Sequence, residues 1–229
     1  MITIEKTEVF GWEAAIRGLR NPMNSWEKSD SEWDWVEDES PINPNDPGMM
    51  FVVGPNDMKL MKTLRNAGTD HRKFLRMIVV SLDITAPLYW LKEFDTYKVG
   101  TVANSCSTMH KIAAREFDYS DFSIEHLISG TPNGDPMYYE AFRGVLSALN
   151  EARRCYLDTK DKSYWWQMIQ LLPSSYNQRR TVMLNYEVLA NIYKSRRNHK
   201  LAEWHVFCDW IETLPYSWLI TGKEDCSDE

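Results

Sequence analysis

At 229 residues, with 43 % hydrophobic and 26 % charged side chains, the chain can bury a substantial core without staples and is too apolar to be disordered. Its 33 acidic against 26 basic residues give a formal charge of −7, which argues against a nucleic-acid partner, since gripping phosphates needs a cationic surface. No apolar run approaches the roughly 18 residues that cross a bilayer, so no membrane partner is expected. Met1-Ile2-Thr3-Ile4-Glu5-Lys6 lacks a basic segment followed by an apolar stretch, and the reading is of a cytoplasmic protein without a secretory leader. Cys106, Cys155, Cys208 and Cys226 lie far apart with no histidine at ligand spacing; they read as reduced thiols, with no metal site. Ten Trp and eleven Tyr supply large rings whose polar tips need partners when buried.

The first predicted element is a helix over Phe10–Arg20. Asn24–Pro55 follows as a long surface loop, with Pro41, Pro44, Pro47 and Pro55 and an acidic Trp-rich patch at 31–39. Asn56 then caps a helix through Leu64, stopped by Gly68. Phe74–Ile84 is rich in Ile and Val and is the one convincing strand. Pro87 closes it and opens a helix through Phe94. A polar, small-residue segment (Gly100–Thr108) precedes a short helix at Asp121–Ile128 and a turn at Gly130–Pro136. Helices follow at Met137–Leu157, Trp165–Leu172 (stopped by Pro173), Asn177–Arg197 and Leu201–Leu214. The tail 224–229 is acidic and reads as frayed. The sum is an α+β, helix-rich chain in a single domain, 1–229.

Two constellations bear chemistry. On a continuous helix Asn185 and Arg196 fall eleven positions apart, within ~20° on one face and ~16 Å along the axis. Leu189 and Ile192 lie between them. An arginine on an apolar face needs an anion or several acceptors; it pairs with a structural carboxylate, snorkels, or receives a phosphate or a carbonyl-rich base. The second constellation is Thr96–Lys111, dense in hydroxyls and flanked by cations. It reads either as a loop capped by its own side chains or as an anion cradle with Lys98. A Cys106 or Ser107 nucleophile would need a base; His110 is near, but no third orienting group is visible.

In order and spacing these pieces resemble the flavin-dependent thymidylate synthases. In that family a Gly-His element leads to a strand, an Ala-Pro turn, a helix and the signature Arg-His-Arg-x-x-Ser-x-Asn-Glu-x-Ser-x-Arg. Here Asp70-His71, Phe74–Ile84, Ala86-Pro87 and Thr96–Lys111 follow at similar spacing. Leu172-Pro173, Asn185, Asn191, Arg196, His199 and Trp204 match the family's C-terminal pattern. Thr96, Tyr97 and Lys98 stand where Arg-His-Arg is expected, and Trp166 and Ile169 where the family has a flavin-contacting Glu and a nucleotide-binding Arg.

The resemblance implies a helix-rich α+β fold with a small antiparallel sheet and a long central helix. It implies reductive methylation of dUMP at C5 by reduced flavin, with NADPH and methylenetetrahydrofolate, in a homotetramer. Carried over by position, Arg196 and Ser107 become catalytic, and His71, Lys98, Asn185 and Asn191 contact the cofactor. Glu93, Asn104, Ser105, Cys106, Ser107 and Arg196 bind the nucleotide, while Tyr97 or Trp90 stacks on a flat ring. The missing Arg-His-Arg leaves FAD, FMN or no flavin open. Two other classes stay open: a non-methylating binder of a pyrimidine nucleotide, and a helical interaction protein using the patch at 31–39.

Overall fold

Apolar side chains at every second position of Val79–Pro87 (β4) are buried while their neighbours are half-exposed, the period of a strand with one covered face. It starts later than the predicted Phe74–Ile84 because Lys73–Arg76 forms a turn of 3-10 helix that buries Phe74 and Leu75. The computed structural model describes residues 1–35, 49–134 and 136–223. Part of the predicted 24–55 loop and of the 31–39 patch, and all of the 224–229 tail, lie outside the described residues.

Thr3–Phe10 (β1), Val102–Ser105 (β5) and Asn177–Asn185 (β6) join β4 in a four-stranded sheet of order β1-β4-β6-β5. The fold is helix-rich with a small antiparallel sheet. The largest departure from sequence is at 177–197, expected as one helix. It is β6 followed directly by a helix at Tyr186–Arg196 (α7). Asn185 makes the switch: its backbone is extended and its side-chain oxygen accepts from the Val188 N–H at 3.0 Å, capping the helix. The predicted 24–55 loop also contains sheet. Glu32–Trp35 (β2) pairs antiparallel with Met49–Val52 (β3), Trp33 opposite Phe51.

The other helices are Trp12–Arg20 (α1), Pro55–Asn66 (α2), Leu88–Phe94 (α3), Thr108–Lys111 (α4), Met137–Thr159 (α5), Lys162–Leu171 (α6), Ala202–Glu212 (α8) and Trp218–Thr221 (α9). Among the described residues no helix is long and apolar enough to cross a membrane. α2 starts one residue before the expected Asn56 cap. Gly54 is the boundary residue, and Asp30 accepts from the Asn56 and Asp57 N–H groups. The helix expected at Asp121–Ile128 is a 3-10 turn at Tyr119–Asp121, because Asp118 and Asp121 side chains take the backbone donors themselves.

The described chain forms two compact units. The first comprises Met1–Thr3, Ile84–Thr96 and Asn104–Arg180. In it α5 and α6 close over a core that includes Ile112, Phe117, Phe122, Phe142, Leu146, Leu149 and Met168. The second comprises Ile4–Asp83, Tyr97–Ala103 and Thr181–Glu229. Trp12 packs edge-on against Tyr186 and Tyr216 at 5.5 and 5.1 Å. Buried Leu189 and Ile192 of α7 and Trp204, Phe207 and Ile211 of α8 add to that core.

Candidate functional site

In the second unit a turn and a helix meet through a glycine. Gly100 has φ +82, and a Cβ there would sit 3.0 Å from both Asn185 Nδ2 and Val188 Cγ2. Glycine therefore lets the turn after Tyr97 lie against the first residues of α7. Gly134 has a similar φ of +87 with nothing within 4 Å of such a Cβ. Gly100→Ala is expected to cost more in urea denaturation than Gly134→Ala. Both pay ~1–2 kcal/mol of left-handed strain, and only the first crowds Asn185. Equal costs would show that the approach to Asn185 is slack.

At the other end of α7 the half-buried Arg196 donates from Nε to the Tyr97 hydroxyl at 2.9 Å. Its guanidinium carbon lies 4.9 Å from the Trp204 ring centroid and 5.7 Å from that of Tyr97. Trp204 is fully buried, and its ring meets Tyr97 and His199 edge-on. A guanidinium seated on aromatic faces is a planar donor set of the kind that suits a phosphate or a base carbonyl. The rings of Tyr97 and Trp204 are thus among the contacts of Arg196.

His71 and Lys98 are exposed, the first on the segment after α2, the second in the turn before Gly100. Asn191 is exposed on α7 and lines a cleft of about 510 Å³ together with Arg65, Thr69, Arg72, Lys194 and Arg197.

The first unit holds the remaining expected residues. Ser107 caps α4, its hydroxyl accepting from the His110 backbone N–H at 3.1 Å. Cys106 N–H donates to the Arg179 carbonyl at 2.9 Å, and Gln178 Nε2 donates to the Cys106 carbonyl and to Thr108 Oγ1. Cys106 and Ser107 line a cleft of about 540 Å³ with Thr108, Lys111, Arg115, Asp121, Tyr176 and Arg179. Asn104 and Ser105 are exposed on β5, and Glu93 is half-buried on α3; none of the three lines that cleft. Burial and the Asp121 carboxylate push the Tyr176 phenol above its ordinary range, so it stays protonated. Arg115 grips Asp121 through two hydrogen bonds, which raises the arginine's own affinity for its proton.

The structure thus brings Asn185 together with Gly100, Arg196 with Tyr97, and Cys106 with Ser107. The expected residues divide between the units: His71, Lys98, Asn185, Asn191 and Arg196 in one, Glu93, Asn104, Ser105, Cys106 and Ser107 in the other. Trp90, an expected stacking ring, is fully buried and stacked on Phe94 at 5.2 Å; it is a core residue. Trp166 and Ile169 lie on α6, the first exposed and the second packed on the core. Arg65, Lys194, Arg115 and Arg179 went unnoticed in the sequence. A strand signal would have exposed Arg179: on β6 neighbouring side chains diverge, and Arg180 turns to Asp95 at 2.5 Å while Arg179 lines the cleft.

Comparison with solved structures identifies the class of fold: it is that of the flavin-dependent thymidylate synthases. ThyX from Helicobacter pylori, described as complexed with FAD and dUMP, is matched with a TM-score of 0.65 and 15 % identity over 96 % of this chain and 98 % of that one. PolB from Streptomyces cacaoi, a UMP/dUMP methylase bound with 5-Br dUMP, is matched with a TM-score of 0.59 and 14 % identity, covering 95 % and 93 % of the two chains. No protein-family model and no curated protein matches the chain. The fold is the one that the order of motifs implied.

Proposed function

We propose that this chain is a diverged relative of the flavin-dependent thymidylate synthases that binds a pyrimidine 5′-monophosphate and methylates dUMP at C5. The observation that carries the reading is Arg196, held at the end of α7 on the rings of Tyr97 and Trp204 in a fold shared with one protein complexed with dUMP and another bound with 5-Br dUMP. Arg196 anchors and polarises the pyrimidine. Ser105, Cys106 and Ser107, with Asn104 and Glu93 nearby in the chain, bind the rest of the nucleotide. Lys111 and Arg179, which line the cleft beside Cys106 and Ser107, bring the charge that a phosphate needs.

FAD is the proposed cofactor, with His71, Lys98, Asn185 and Asn191 holding it. The donor set fits: two carboxamides and a lysine suit a flavin's carbonyls, and Asn191 lines a cleft whose cations suit its phosphates. Once bound and reduced, the flavin supplies the hydride; NADPH is the reductant and methylenetetrahydrofolate the carbon donor. The protein's part is position and polarisation. We place the activity in a cytoplasmic homotetramer.

A second reading, a pyrimidine-nucleotide binder without methyl transfer, is favoured by one observation. Tyr97 stands where the family's signature has histidine, and its hydroxyl occupies the Nε donor of Arg196. A thermal-shift panel with FAD, FMN, dUMP, dCMP and dTMP separates the readings, because ligands that bind only the folded form raise the melting temperature. Shifts with both dUMP and a flavin are expected. A shift with dUMP alone supports the second reading, and no shift with any ligand supports an interaction protein.

A further inference from the structure

The acidic, Trp-rich patch takes no part in the proposed nucleotide site. Its described part includes β2, whose four residues are all exposed. Side chains alternate along a strand, so Trp33 and Trp35 share one face of β2, and Glu32 and Asp34 the other. Trp33 stands opposite Phe51 of β3, and the two rings meet edge-on at 5.5 Å. Phe51 is buried, whereas Trp33 is 43 % and Trp35 65 % exposed. Tryptophan is highly buried on average, and two such rings left open on one strand face mark a contact surface.

The Trp33 ring is fixed in its exposed position. Its indole N–H donates to Glu13 Oε1 on α1 at 2.6 Å, which satisfies the polar edge without covering the ring. Beneath it, the Tyr216 hydroxyl donates to the Phe51 carbonyl at 3.4 Å and accepts from the Val53 N–H at 2.8 Å. The surface is therefore set before any partner arrives. Its carboxylates are uncompensated: Glu13, Glu32 and Asp34 form no ion pair among the described residues. Between Lys28 and Lys59 the sequence has acidic residues at 30, 32, 34, 37, 38, 39, 46 and 57 and no Lys, Arg or His. Asp57 is matched by Arg20. Open indole faces beside unmatched carboxylates attract a cation. A guanidinium suits them best, because it stacks flat on the ring and still forks to a carboxylate.

We propose that the Trp33–Trp35 face of the β2–β3 ribbon is a docking surface for an arginine-rich segment of a partner protein. Its guanidinium groups stack on the two indoles beside Glu13, and Glu32 and Asp34 across the ribbon add long-range attraction. This interaction is independent of the nucleotide reading. Calorimetric titration of an octa-arginine peptide into the full chain at low ionic strength tests it. Binding is expected in the wild type, weakened about threefold in Trp35→Leu and about tenfold when Trp33→Leu is added, and weakened by salt. Trp35→Leu alters no charge, so a diffuse attraction between the peptide and an acidic chain would persist in it. Trp33→Leu also removes the hydrogen bond to Glu13, so the decisive comparison is at Trp35, an exposed side chain whose replacement leaves folding intact. No binding to the wild type, or equal binding to the Trp35→Leu variant, overturns the proposal. Self-association of the wild type that is lost in Trp35→Leu, read by sedimentation, would assign the face to a second copy and overturn it as well.

Discussion

Asp57→Ala is expected to destabilise the protein by ~3–5 kcal/mol, the usual cost of stranding one partner of a buried ion pair. Asp57 is fully buried and gathers four donors: Arg20 Nε at 2.7 Å, Ser29 Oγ at 2.8 Å, the Asp30 N–H at 3.1 Å and Ser31 Oγ at 2.7 Å. Arg20 is itself 4 % exposed, and its Nη2 donates to the Lys28 carbonyl. One carboxylate on α2 thereby pins the segment that leads into β2. Without it a guanidinium and two hydroxyls lose their acceptor together. Burial pushes the Asp57 carboxyl up, but hydrogen bonds from Ser31, Ser29, Arg20 and Asp30 outweigh that and hold it below its ordinary value. The stabilisation is therefore complete above the unfolded value near ~3.9 and is lost as pH falls through the lower folded value. Urea denaturation at neutral pH and again below about pH 3 checks both points. The gap between wild type and Asp57→Ala should be wide at neutral pH and narrow in acid; a gap that does not change with pH would contradict the carboxylate account.

Arg196→Ala is expected to abolish the dUMP-dependent rise in melting temperature while unfolding stays cooperative. With nucleotide at 100 times its dissociation constant the wild type should gain ~2.7 kcal/mol, and the variant close to none. Arg196 is half-buried and sits on two rings, so its loss removes a ligand donor and a cation–π contact worth ~0.5–2 kcal/mol. Arg196→Lys keeps the charge without the planar fork and should recover only part of the nucleotide shift. An undiminished shift in Arg196→Ala would take this residue out of the site. A loss of ~3–5 kcal/mol without ligand would make its role structural.

Much of this was legible in the sequence wherever one period ran long enough to dominate. The apolar stripe of Met137–Leu157 and the Ala86-Pro87 step from β4 into α3 appear as expected. The order of motifs from His71 to Trp204 pointed to the right fold despite 15 % identity to the solved relative. β6 was not legible because it enters α7 through Asn185 alone, with no glycine or proline between them. Leu184, Val188, Leu189 and Ile192 keep helical spacing across the junction, and this masks the period-two burial of Val182 and Leu184. β5 has four exposed residues and no pattern to read. Site residues fared unevenly for a related reason. Arg196 stood out because it continues an apolar face, whereas nothing beside Arg65 or Lys194 in the sequence marks a shared site. Only the tertiary fold shows that they share a cleft without acids.

Methylation at C5 must expel the hydrogen that the ring carries there. The most direct test supplies the purified chain with dUMP tritiated at C5, FAD, NADPH and methylenetetrahydrofolate, and counts tritium in the water. The account predicts release that depends on both the flavin and the folate and disappears in Arg196→Ala. No release above an enzyme-free control, from protein shown to have bound dUMP, would contradict it.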